Sequence, residues 1–223
     1  MKTIRKAVIV AISLLVANAA HAQFGALGGL VGGNKSAASS GDMATDVTNF
    51  LTKSAALSAM TSRSLTAINA AFASDEEIAA KRAALGAINQ ITDPKEKEAK
   101  VAALYESESA EAKRRLSSGE MEQKIGGLDS AKKKQIGDAI LNFGIGTLQA
   151  VELTKSGQSL MQQAGANPMN LPKILPVRTA IPMLGKVAGD AGGFFVGVIK
   201  LAKGANIAVP EVKATTKEAV IEV

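Results

Sequence analysis

The 223-residue chain has no cysteine, no tryptophan, one histidine and one tyrosine. Without cysteine there is no disulfide, no thiolate nucleophile, and no zinc–cysteine or iron–sulfur ligation. Aromatic residues make up only 3%, which leaves few rings on which bases or sugars could stack. Long apolar runs are also missing. After residue 22 no stretch reaches the roughly 18 uncharged apolar residues of a membrane-spanning helix. What is abundant is alanine, at 40 residues, within an apolar fraction of 47%. That fraction is enough for a core, and the alanine favours helix. Lys and Arg number 26 against 20 acids, a formal charge of +6 with a pI near 9.5.

The N-terminus reads as a secretory signal. Lys2, Arg5 and Lys6 form a basic start, Ala7–Val16 an apolar run, and Ala20-His21-Ala22 a small-x-small triplet before Gln23. The cations stay on the cytoplasmic side, the short apolar helix enters the translocon, and the peptidase accepts small side chains at Ala20 and Ala22. Cleavage removes three of the 26 basic residues, leaving 23 against 20 acids, and takes the only histidine. No cysteine follows the cleavage point, so lipoprotein anchoring is excluded. The expected location is periplasmic, with secretion as the alternative.

Residues 23–42 are rich in Gly, Ser and Ala and read as a flexible leader. Helix signals then follow one another over a single domain, 43–204. Asp42 caps a helix over 43–73 whose stripe is Val47, Phe50, Leu57, Met60, Leu65, Ile68 and Phe72. Ser74 and Glu77 form a capping box for a helix over 75–90, with Glu77/Lys81 as an exposed pair. Asp93-Pro94 opens a third helix to about 117, whose charge density marks it as the most exposed of the set. A short turn lies between Gly119 and Gly126. Asp129 opens a long helix to about 164, with Gly165 suited to the C′ position. Pro168, Pro172, Pro176 and Pro182 predict an extended connection over 165–182, because proline removes a helical donor and clashes with the preceding turn. A last helix spans 182–203, and residues 205–223 form an extended or disordered tail. The expected fold is all-α, an irregular bundle of four to six helices.

The sharpest motif is Gly185, Gly189, Gly193 and Gly197, four glycines on one helical face. Such a face admits close approach. Packing inside the domain, against the glycines at 137, 144 and 146, is the first expectation. Self-association or membrane contact is the second, and close approach of a ligand to the backbone is the third. Lys132, Lys133 and Lys134 are a candidate contact for an anionic surface, and Lys113-Arg114-Arg115 is a second basic cluster. A solvated face is the simpler reading of both. Ser130-Ala131-Lys132-Lys133 with Lys155-Ser156-Gly157 matches fragments of a penicillin-recognising serine enzyme, but the intervening S-D-N element is missing. Glu76, Glu77, Glu106, Glu108 and Glu111 read as solvated helix charge. With His and Cys absent after cleavage, the expected function is non-enzymatic: an exported protein that binds, scaffolds or associates with the envelope, without metal, cofactor or nucleic acid. Its partner would be itself or another envelope protein, with peripheral membrane contact possible. The alternatives are a membrane-active or self-associating protein using the glycine face, and a hydrolase using carboxylates or a Ser/Lys pair.

Overall fold

A computed structural model describes residues 42–212, 216–221 and 223. The signal segment, including Ala20 and Ala22, and the leader up to residue 41 lie outside the described residues. The described residues are all-helical: α1 Met43–Ala71, α2 Asp75–Gln90, α3 Pro94–Ser117, α4 Glu120–Ile125, α5 Ser130–Gly165, α6 Leu171–Gly192 and α7 Phe194–Gly204.

The helix starts are chemically specified. The side chains of Asp42, Asp93 and Asp129 accept from Ala44 N, Glu96 N and Lys132 N. At α2 both halves of the capping box form: Glu77 N donates to Ser74 Oγ and Ser74 N to Glu77 Oε2. Each bond satisfies a helix-end amide that the helix itself cannot. Gly119 turns the chain between α3 and α4 at φ 74°, a region glycine enters without steric cost. Gly165 falls inside α5, which ends at Ala166 rather than at a glycine cap.

α1 is the axis of the bundle, with α3, α5 and α6 around it. Its buried residues include not only Leu57, Leu65 and Ile68 but Ser58, Thr61, Ser62, Ser64, Thr66 and Asn69. Three of these hydroxyls turn back on their own helix, and that of Ser62 reaches across to α3. Thr61, Ser64 and Thr66 donate to the carbonyls of Leu57, Met60 and Ser62 at 2.9–3.0 Å. α1 and α3 run parallel, since Ser62 meets Val101 O and Asn69 meets Glu108 O at the same offset. α1 and α5 run antiparallel, since Phe50 lies at Gly157 and Thr61 at Gly146.

The proline-rich stretch is the main correction. Pro172 sits at the start of α6, where a missing N–H costs nothing, while Pro176 and Pro182 lie within the helix. An interior proline costs about 3 kcal/mol. Here both rings face outward, and between them Ile174, Val177, Ala180, Leu184 and Val187 are buried against the bundle. Burial of a Val, Leu or Ile side chain contributes about 1.5–3 kcal/mol, so the packed stripe outweighs two prolines. The expected single helix over 182–203 is instead broken at Gly193, which caps α6 and precedes α7. The tail is placed on the bundle. Ile207 is buried, the Ala208 carbonyl and Val212 lie over Gly137 and Gly144 of α5, and Asn142 exchanges two 2.8 Å bonds with the backbone of Ala219.

Candidate functional site

At the α2–α3–α4 corner Lys81, Glu108 and Arg115 face inward. Lys81 Nζ reaches Glu108 at 2.8 Å and Glu111 at 2.7 Å, with its own side chain only 11% exposed. Arg115, 3% exposed, binds Glu111 at 2.7 Å, Glu120 at 2.5 Å and Glu77 at 3.3 Å, and donates to Phe72 O. Lys124 adds a contact to Glu120 at 2.9 Å. Asn69 Nδ2 donates to Glu108 Oε2 at 2.6 Å from inside α1. Burial opposes charge at Glu111, but hydrogen bonds from Lys81 and Arg115 outweigh it and hold the carboxyl below the usual range. Burial likewise opposes the Arg115 charge, and the hydrogen bond and charge of Glu111, helped by Glu120 and Glu77, raise its pKa.

These bonds correct three expectations. Glu77/Lys81 is not a pair, since each side chain reaches a different partner. Glu108 and Glu111 are not solvated charges. α2, with no fully buried residue, is more exposed than α3, which buries Val101, Tyr105, Glu108, Ser109, Ala112 and Arg115.

A second cluster ties α3 to α6. Asp190 Oδ2 accepts from Tyr105 Oη at 2.8 Å and Ser109 Oγ at 2.7 Å, and Oδ1 accepts from Lys113 Nζ at 2.6 Å. Lys186 pairs with Glu106 beside it. Burial raises the Tyr105 pKa, and the bond it donates to Asp190 pushes it further, so the phenol stays protonated. Asp190 moves down: burial works against its charge, but Lys113, Ser109 and Tyr105 more than compensate. Of the Lys113-Arg114-Arg115 cluster, Lys113 and Arg115 are therefore committed to Asp190 and to the carboxylates of the first cluster, while Arg114 is exposed with Glu120 at 3.5 Å.

Among the sequence candidates, the glycines separate. A Cβ added at Gly185, Gly189 or Gly193 meets nothing within 4 Å, whereas at Gly197 it would lie 2.7 Å from Leu116 Cδ2. The expected packing against the glycines of α5 does not occur. Gly146 receives Thr61 of α1, and Gly137 and Gly144 receive the tail. The break at Gly193 also prevents the four from forming one continuous helical line. Lys132, Lys133 and Lys134 lie on the first turn of α5, and Lys134 pairs with Asp138 at 2.5 Å. Ser130 and Lys155 belong to the same helix, about 37 Å apart at 1.5 Å per residue. The two serine-enzyme fragments therefore cannot share a site. Among the described residues no group of His, Asp and Glu has the arrangement of a metal site, and no helix is long and apolar enough to cross a membrane.

What the sequence reading missed is the outer face of α6. Leu171, Leu175, Arg178, Pro182, Gly185 and Gly189, at alternating four- and three-residue steps, are all exposed. Leu171 is 50% and Leu175 58% exposed, with Met169 at 84% in the 3₁₀ turn before the helix. The signal lies in the apolar residues Met169, Leu171, Ile174, Leu175 and Val177, which fall on both sides of a helix, whereas an extended connection gives them no common face. No family model matches the chain, and no curated protein or solved structure does.

Proposed function

We propose that this chain is a non-catalytic, exported binding protein that works at an envelope surface through the outer face of α6. One observation carries the reading: the fold uses its buried charge clusters internally and groups Met169, Leu171 and Leu175, among the described residues the most exposed large apolar ones before Val220, at the start of α6, while Leu148, Val151 and Val196 are exposed to a lesser degree elsewhere. Glu108, Glu111, Arg115 and Asp190 are the residues a chemist would first try as acid, base or electrostatic stabiliser. Each is held by two or more protein partners. Such arrangements rigidify a junction, whereas a catalytic group needs access to substrate. Leu171, Leu175 and Met169 carry no such obligation, and exposed apolar clusters of this kind mark interaction surfaces.

Export rests on the order of basic start, apolar run and Ala20-x-Ala22. Expression in a bacterial host tests it. The expected product begins at Gln23 and leaves the cell body with the periplasmic or peripheral-membrane fraction. Unprocessed chain in the cytoplasm would contradict the proposal. The open space at Gly185 and Gly189 favours a second reading, self-association through close helix contact. Light scattering on the purified protein distinguishes it: a monomer excludes this reading, and a dimer lost in Gly189→Leu supports it.

A further inference from the structure

We infer that the start of α6, with the turn before it, docks on the surface of an anionic lipid bilayer. The inference rests on the surface-binding reading above and names its partner. Leu171 and Leu175 stand one turn apart on the same outward line, and Arg178 follows one turn later. Met169 projects beside them and Lys173 is exposed on the first turn. Among the described residues Lys173 and Arg178 make no ion pair or hydrogen bond, unlike Lys81, Lys113, Arg115 and Lys186. Three exposed apolar side chains with the unneutralised Arg178 on the leucine line match a headgroup layer, whereas Lys173, two residues from each leucine, projects from the other side of the first turn. The apolar groups reach the acyl boundary while the Arg178 guanidinium stays at the phosphates.

Charge selects this occupant over the others. From Leu153 to Gly189 the sequence contains Lys155, Lys173, Arg178 and Lys186 and not one acid. The acids at this end of the bundle, Asp42 and Asp46, belong to the first turn of α1, where Asp42 caps Ala44. A second copy meeting this face through a two-fold axis would set Arg178 against the same cation, with no carboxylate on the facing strip to pair it. The segment preceding α1 cannot neutralise it either, because residues 1–41 contain no Asp or Glu. An anionic bilayer supplies both the apolar phase and the counter-charge.

Flotation with phosphatidylcholine vesicles, with and without phosphatidylglycerol, tests the inference on the protein as the expressing cell yields it. Binding is expected only with phosphatidylglycerol, and it should weaken as salt rises. A cation at such a surface contributes about a five-fold factor, so Arg178→Gln should weaken partitioning about five-fold, and Lys173→Gln should weaken it less. Leu171→Ser/Leu175→Ser should also lose binding, with circular dichroism unchanged because these side chains are exposed. Lys132→Gln/Lys133→Gln should bind like the parent, which separates this patch from general basic charge. Three results overturn the inference: no flotation, a loss under twofold in Arg178→Gln, or a dimer in solution that Leu175→Ser dissociates. Failure to float leaves the export reading standing, because that is decided by processing at Ala22.

Discussion

Substituting alanine for individual glycines tests which of them the fold uses for close approach. In a helix the exchange gains up to about 1 kcal/mol if nothing stands in the way. At Gly146 something does. The new Cβ would lie 2.3 Å from Thr61 Cγ2 and 3.2 Å from Met60 Cε. Thr61 cannot swing aside cheaply, because it is β-branched, fully buried and held by its hydroxyl to Leu57 O at 2.9 Å. Overpacking of this kind costs about 1–3 kcal/mol. With a rigid neighbour the upper end applies, and subtracting the helical gain leaves a net loss of about 2 kcal/mol. At Gly189, with nothing within 4 Å, only the gain remains. The two variants should therefore differ by about 3 kcal/mol, or about 6–12 °C in Tm for a chain of this size. Thermal unfolding followed by circular dichroism is the assay. Gly189→Ala is expected above the parent and Gly146→Ala below it. If Gly189→Ala loses stability as Gly146→Ala does, the α6 glycines are packed and the reasoning fails.

The buried charges make their own predictions. Arg115→Ala should cost about 3 kcal/mol in denaturant unfolding, because it removes a buried cation shared by three carboxylates and leaves Glu111 and Glu120 with one lysine each, whereas exposed Arg114→Ala should stay within about 1 kcal/mol. Asp190 has a depressed pKa in the folded state, so its contribution is full above the unfolded value near 3.8 and disappears as pH falls through the folded value. Asp190→Asn should therefore lower Tm at neutral pH, and the two curves should converge in strong acid. α2 buries no residue fully, so its amides should exchange before those of α1 and α5. Lys81→Gln should speed α2 exchange further and leave α5 unchanged.

The bundle was legible where local chemistry acts alone. The capping residues Asp42, Ser74, Asp93 and Asp129 are readable because each bond spans two or three residues. The failures share a cause, in that tertiary contact overrode a local rule. Tyr105, Glu108, Ala112 and Arg115 follow Val101 at steps of four and three, which is a buried face. Glu and Arg on it disguised the periodicity, since their burial depends on partners some tens of residues away. The α6 prolines were read as breakers because the packing that offsets them cannot be seen in the dipeptides around them. Gly185 and Gly189 are both exposed and stand one turn apart on α6. Which side faces the core was set by Val177, Ala180, Leu184 and Val187.

The absence of cysteine allows the central claim to be tested by a single label. Thr179→Cys carries an environment-sensitive fluorophore on the outer face of α6, and Ala131→Cys carries it on the exposed first turn of α5. On adding phosphatidylglycerol vesicles, the fluorophore at 179 should shift to the blue and become shielded from aqueous quencher, while that at 131 stays unchanged. No shift at 179, or equal shifts at both positions, would contradict the account.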